Sequence, residues 1–384
     1  MMLEGVLDDV SRPRSGSDSR QRRRRLLRWL LPIATLGVAV LVASGMLSAN
    51  AKANLPSRSP AQLLAAISLP KQVGFSGTVV EKAAFGLPDL GGLAGSGLAD
   101  GVGTGATPLS LLTGSHTIRV WYGSPTKQRI ALLSTFGELD LFRNGDNLWQ
   151  WNSDTRIALH RSLTTGIGLF QRPSDLPSLT PDQAAQRILA MMQPSTTVSI
   201  DRTAVVAGRP AYVLVLTPKQ DGTRIRQARV SVDGATLVPL GVQVYARDTA
   251  RPVLDASFTR FDPTAPSEDN FTWTPPAGVT VQSPPAQTDL LPGLTLPAGQ
   301  PAVSTVGSGW TSVLKVTGLP SQAALARQSP QAAGLLGLLP AVRGAWGSGR
   351  LLQTSVLSAL ITDDGRAFVG AVDPAVLYAA AGSK

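Results

Sequence analysis

Over most of the chain apolar and polar positions alternate in short runs, and this period of two predicts strands. Residues 117–122 put Ile118, Val120 and Tyr122 on one face and leave the intervening positions for the other. Residues 73–80, 128–133, 138–143, 147–151 and 155–160 extend the pattern, and Asn144-Gly145-Asp146 supplies a tight turn between two of these runs. An antiparallel meander is the expected product. Residues 198–206, 211–217, 223–232, 237–246 and 253–260 read as a second set of strands, joined by Gly208-Arg209-Pro210, residues 218–222 and Asp233-Gly234. Roughly ten or eleven strands within residues 55–283 are too many for a flat open sheet, so a strongly curved antiparallel sheet or partial barrel is expected.

The period changes where helices should begin. In Ser59-Pro60-Ala61-Gln62 the serine can accept from first-turn amides, the proline suits the first helical position and the glutamine can close a capping box, predicting a short helix over 60–68. Thr180-Pro181-Asp182-Gln183 repeats the device and opens a helix to 192, with Ala184, Ile188, Leu189 and Met192 on one face. Residues 82–115 break the strand pattern with glycine and isolated leucines, the composition of either a disordered insertion or a mobile flap. Residues 284–301, rich in Pro, Gly and Leu, read as a linker to a smaller α+β domain over 302–384. There, Gly309-Trp310 starts a strand to 316, and residues 321–339 form helical turns broken by Pro330 and Gly334. Residues 351–361 and 366–372 make a hairpin across Asp363-Asp364-Gly365, and Asp373-Pro374 opens a last helix. The expected fold class is therefore α+β, mainly β, with short helices against the sheet.

The N-terminus follows a different logic. No charged residue occurs over 29–51, and at about 1.5 Å rise per residue such a stretch spans the hydrocarbon core of a bilayer. The arginines clustered over 22–28 belong on the cytoplasmic side. The expectation is a single-pass plasma-membrane protein with residues 1–28 inside and the bulk of the chain outside. A long signal peptide cut at Ala49-Asn50-Ala51 or Ala51-Lys52-Ala53 is the alternative, and cleavage near Ala51 would make the protein secreted. The length of the apolar stretch and of its basic lead favours the anchor.

Charge adds little beyond this. The net charge is +10, but past residue 54 the basic residues are scattered among Asp and Glu, without the basic stripe and stacking aromatics that nucleic-acid binding needs. No nucleic-acid partner is expected. Cysteine is absent, which removes disulfides, thiol catalysis and thiolate metal sites. The two histidines, His116 and His160, stand singly in predicted strands, where a structural role is the ordinary one. Gly74-Phe75-Ser76-Gly77-Thr78 fails as a nucleophile elbow at its last position, and Gly101-Val102-Gly103-Thr104-Gly105 lies in the glycine-rich insertion rather than between strand and helix. Asp363-Asp364-Gly365 suits a hairpin turn better than a carboxylate pair. No enzyme activity, metal or cofactor is expected. What remains is apolar surface: Ile118, Val120, Tyr122, Ile130, Leu132, Leu139, Leu141, Trp149 and Trp151 fall on consistent faces of successive strands, as do Val213, Val215, Val230, Val232, Val242 and Val244 in the second half. They form either an ordinary core or, since few helices are available to fill a wide curved sheet, the lining of an apolar ligand cavity.

The segments Phe75-Ser76-Gly77-Thr78-Val79, Ile118-Arg119-Val120-Trp121-Tyr122, the run 138–146, Trp149-Gln150-Trp151, Ala207-Gly208-Arg209-Pro210-Ala211-Tyr212, Val232-Asp233 before Pro239-Leu240, and Phe271-Thr272-Trp273-Thr274-Pro275-Pro276 form a recognisable series. Together they resemble the LolA-like superfamily of bacterial envelope proteins, which comprises lipoprotein carriers and sigma-E regulatory proteins of the RseB/MucB type. The resemblance covers about residues 57–283. It implies an open half-barrel, lidded by short helices, whose apolar face holds lipid or lipoprotein acyl chains. A second domain after it is similar to the two-domain regulators, which implies a membrane protein partner of the anti-sigma-factor kind. The membrane anchor departs from the pattern of a freely diffusing carrier.

Overall fold

The computed structural model describes residues 55–68, 74–86, 111, 113–135, 137–162, 190, 192–283, 302–328 and 330–383. The expected anchor over 29–51, the linker over 284–301, most of the glycine-rich insertion and all but the end of the helix expected over 181–192 lie outside these residues. Among the described residues no helix is long and apolar enough to cross a membrane.

Helix α1 (Pro60–Ser68) begins as its sequence predicts. The Gln62 amide donates to Ser59 Oγ at 3.2 Å and the Ser59 amide to Gln62 Oε1 at 2.9 Å, the two reciprocal bonds of a capping box. The strands that follow are β1 (Phe75–Ala84), β2 (Thr113–Ser124), β3 (Lys127–Leu133), β4 (Glu138–Asn144), β5 (Asn147–Asn152) and β6 (Ile157–Ser162). They form the expected meander, and Gly145, at φ 61°, makes the turn between β4 and β5. The second set is β7 (Thr196–Ile200), β8 (Ala204–Val206), β9 (Arg209–Pro218), β10 (Ile225–Asp233), β11 (Pro239–Ala246) and β12 (Leu254–Asp262).

These strands and β13 (Thr280–Gln282) make one open sheet in the order β13-β6-β5-β4-β3-β2-β1-β12-β11-β10-β9-β7, with β8 also on β9. The β1–β12 pairing joins the two sets, so strands far apart in sequence become neighbours. Two expectations change here. The sheet is not wholly antiparallel, because β13 runs parallel to β6 at its edge. The run 198–206 is two strands rather than one: Asp201 bonds the Arg202 amide at 2.8 Å and ion-pairs with Arg229 at 2.6 Å, turning the chain between β7 and β8.

The second sheet has the order β14-β15-β19-β18-β17-β16. Its strands are β14 (Ala302–Val306), β15 (Val313–Thr317), β16 (Ala341–Gly344), β17 (Gly347–Gln353), β18 (Ser358–Thr362) and β19 (Ala367–Gly370). Helices α2 (Gln322–Gln328) and α3 (Pro330–Leu338) lie on either side of Ser329, α3 runs on through Gly334 where the sequence predicts a break, and α4 (Pro374–Gly382) follows Asp373. Leu360, Phe368, Val372 and Leu377 are fully buried and form its core. Residues 309–311 are a 3-10 turn and not the start of a strand, because Gly307 and Gly309 take φ of 83° and 64°. Residues 351–361 likewise divide into the end of β17 and the start of β18, while Asp363-Asp364-Gly365 makes the expected hairpin.

The two sheets are joined by specific bonds. Thr223 and Val372 form a β-bridge, the Arg224 amide donates to the Ala371 carbonyl at 2.9 Å and the Asp373 amide to the Gly222 carbonyl at 2.7 Å. The Arg224 guanidinium reaches the Thr354 carbonyl at 3.0 Å and Asp373 at 3.4 Å. The Trp310 indole donates to Thr196 Oγ1 at 2.7 Å, and Val356 packs against Ala246 and Val253.

Candidate functional site

Helix α1 identifies one face of the large sheet. Leu63 and Leu64 bury against Tyr212 and Leu214, with Val198, Ile200, Leu216 and Val230 around them. Residues directly opposite on paired strands share a face, so register carries this helix-bearing face across the sheet. It passes from Leu214 to Val230, Val242 and Ala256, and from there to Glu81 on β1 and His116 on β2. Two residues along the same strands it continues through Val79, Ile118, Leu132 and Leu139, and beside them through Val120, Ile130 and Leu141.

The nine residues singled out from the sequence therefore divide. Ile118, Val120, Tyr122, Ile130, Leu132, Leu139 and Leu141 lie on the helix-bearing face. Trp149 pairs with Phe142 and Trp151 with Asp140, which puts both tryptophans on the opposite face, while Leu141 and Leu139 face Gln150 and Asn152. The nine do not line one surface. On the helix-bearing face Leu132 is buried, but Ile118, Val120, Leu139 and Leu141 are only half-buried and Ile130 remains 39% exposed. None of these six enters the apolar clusters formed by the described residues. Those clusters lie beneath α1, around Phe75, Leu240 and Phe261, around Val253 and Val356, and in the second sheet around Leu360 and Phe368.

On the opposite face the segment after the 3-10 turn Glu268–Phe271 covers β4 and β5. Trp273 stacks on Phe142 at 5.7 Å between ring centres and tilts against Trp149 and Trp151 at 5.2 and 5.6 Å. Beside this cluster the Arg129 guanidinium lies 4.6 Å from the ring centres of both Trp121 and Phe142, and its Nε donates to the buried Asp140 at 2.9 Å. An open cleft of about 290 Å³ lies here, lined by Asn144, Asn147, Trp149, Phe271, Thr272 and Trp273. Only Trp149 belongs to the residues singled out from sequence. His160 stacks on Trp149 at 4.2 Å and bonds Asn147 at 3.1 Å, a structural role.

His116 has a different setting. Its Nδ1 lies 3.0 Å from Glu81 Oε2, and the Glu81 side chain is only 6% exposed. Burial pushes the Glu81 carboxyl above the ordinary carboxylate range, and the contact with His116 offsets part of that rise. Glu81 was not singled out from the sequence. Its signal is one of phase: in Val79-Val80-Glu81-Lys82-Ala83 the glutamate occupies the same alternate position as Val79 and Ala83, an apolar register for a charged residue. Among the described residues no group of three or more His, Asp or Glu could hold a metal ion.

No protein-family model matches the chain, and no curated protein matches it. Solved structures do. The MucA/MucB complex of Pseudomonas aeruginosa is 17% identical with a TM-score of 0.44, over 84% of this chain and 97% of that one. LprF from Mycobacterium bovis is 10% identical with a TM-score of 0.28, over 59% of this chain and 100% of that one. A LolA-superfamily protein from Nitrosomonas europaea is 11% identical with a TM-score of 0.21, over 56% of this chain and 99% of that one. The solved structures similar to this chain include MucB, LprF and a protein of the LolA superfamily.

Proposed function

We propose that the protein is a membrane-anchored, extracytoplasmic binder of lipid or lipoprotein acyl chains, held on the apolar helix-bearing face of an open half-barrel. The observation that carries this reading is the row Ile118, Val120, Ile130, Leu132, Leu139 and Leu141, continuous across β2, β3 and β4 by register yet largely half-buried. An alkyl chain laid along it gains roughly 0.8 kcal/mol for each methylene removed from water. Helix α1 covers the same face farther along, as a lid helix would, and residues 29–51 would keep the face near the bilayer from which it draws its ligand. The sequence segments quoted for the LolA-like resemblance support the same reading. The test is mass spectrometry of lipids that co-purify with the full chain. Stoichiometric acyl lipid is expected, and a lipid-free chain that takes up no fluorescent fatty acid would sink the proposal.

The second reading is a regulator of the RseB/MucB kind that binds an anti-sigma factor or another membrane signalling protein. It is favoured by the second sheet, fastened to the first through Arg224, Thr223 and Trp310. Affinity capture of a single-pass membrane protein by the full chain is expected under this reading, and its loss on removing residues 302–384 would place the contact in the second sheet.

A further inference from the structure

Along β1 the helix-bearing face reads Phe75, Gly77, Val79, Glu81 and Ala83, and opposite these on β2 stand Tyr122, Val120, Ile118, His116 and Gly114. The apolar row is thus interrupted at one rung by a glutamate and a histidine. The rung is asymmetrically satisfied. Glu81 Oε2 has His116 Nδ1 at 3.0 Å, whereas Oε1 is buried with no hydrogen-bonding partner among the described residues. The residues beside Glu81 on this face are Val79, Ala83 and, across to β12, Ala256, so register brings no other charged group of β1, β2 or β12 to it. Protonation does not resolve this, because a carboxylic acid also needs a partner for its hydroxyl and its carbonyl oxygen. A buried acceptor left unmatched costs free energy, and such a cost is repaid when a bound molecule supplies the donor.

We infer that Glu81, held by His116, is the polar anchor of the apolar face, and that it selects amphiphiles carrying an amide N–H or a hydroxyl beside the start of the alkyl chain. The inference rests on the acyl-binding reading above and names the ligand class for that same face. The geometry sets the spacing. Residues two apart on a strand are roughly 7 Å apart, so Val79 and Ile118 lie one such step from the anchor. A donor bonded to Glu81 Oε1 would therefore leave the first few carbons of its chain on Val79 and Ile118, and the remainder on Val120, Ile130 and Leu141. A ligand with an ester or a tertiary amide at that point offers only acceptors and leaves the carboxylate unmatched. Discrimination of this kind, by a buried polar group that one ligand satisfies and its analogue does not, is stronger than discrimination by alkyl length.

The test uses the full chain, polymer-stabilised, freed of detergent and loaded with cis-parinaric acid as a fluorescent alkyl probe. N-methyldodecanamide, which has one N–H, and N,N-dimethyldodecanamide, which has none, are then compared as displacers. The N–H amide should displace the probe at a concentration at least about ten-fold lower, as expected when a buried acceptor gains the donor it lacks. Glu81→Leu should bring the two amides to the same value. Should that variant fail to fold, Glu81→Gln keeps the volume and should reduce the ratio to a few-fold. Equal displacement by both amides on the unsubstituted chain overturns this inference and leaves the acyl-binding reading intact. Undiminished discrimination in a folded Glu81 variant also overturns it, because the donor is then received elsewhere. Failure of cis-parinaric acid to bind at all overturns the acyl-binding reading, and the inference with it.

Discussion

Arg209, at the start of β9, grips Asp233, at the end of the adjacent β10, through two bonds of 2.8 Å, one from Nε to Oδ1 and one from Nη2 to Oδ2. The carboxylate is 1% exposed and also accepts from the amide and the hydroxyl of Thr236, each at 2.7 Å. Burial by itself would raise its pKa, but the bonds from Arg209 and Thr236 outweigh burial and hold it below the ordinary value. Because the group is more acidic in the folded protein, it stabilises the fold at pH values above 3.8. That stability is lost as the pH falls through the depressed folded value.

Asp233→Asn should cost about 3 kcal/mol at pH 7, because it leaves a partly buried guanidinium without its charge partner. The same substitution should remove part of the acid sensitivity, so the difference in stability between the two proteins narrows as the pH falls below 3.8. Urea unfolding from pH 7 down into the acid range measures both effects, and a constant difference across that range would refute the linkage.

Glu81 should act in the opposite sense. Its carboxyl is raised, chiefly by burial, so the folded protein holds the proton more tightly than the unfolded chain does. Stability is then lost as the pH rises from about 4.5 through the folded value. Thermal melts of unsubstituted protein and Glu81→Gln over pH 4 to 8 should diverge in favour of the variant as the pH rises.

Trp273 provides a test of the two faces. Trp273→Ala removes the ring that covers Phe142, Trp149 and Trp151 and should cost about 2 to 3 kcal/mol, with loss of near-ultraviolet circular dichroism from the stacked indoles. Alkyl binding should be unchanged, since these rings lie across the sheet from Ile118 and Leu141.

Ile130 is the converse case. It is exposed, so Ile130→Ser should alter stability by no more than about 0.5 kcal/mol. Displacement titrations with a fluorescent fatty acid should nonetheless show roughly ten-fold weaker binding, because the substitution removes apolar surface midway along the proposed alkyl track.

Arg224 decides how firmly the two sheets act together. Arg224→Ala deletes its guanidinium bonds to Thr354 and Asp373. Calorimetry should then resolve two unfolding transitions where one is expected for the unsubstituted chain, the earlier belonging to the second sheet.

The local elements were legible because their signals are local. The capping box at Ser59 and Gln62, the turn at Gly145 and the helix start at Pro374 each depend on residues within one turn of chain, and each appears where the sequence predicts it. Period-two alternation correctly put Ile118, Val120 and Tyr122 on a single face, because a strand fixes that relation regardless of its neighbours. It could not relate one strand's faces to the next. Trp149 and Trp151 alternate as cleanly as Leu139 and Leu141, and only the β4–β5 register shows that they point to opposite sides. Residues far apart in sequence were beyond it for the same reason. The sequence by itself determined a mainly β chain with two sheet-forming regions and a long apolar N-terminal stretch. Tertiary structure decided which apolar residues share a surface, that Trp273 covers the other one, and that Glu81 meets His116 across a 35-residue separation, since pairing of distant strands is set by the packing of the whole sheet.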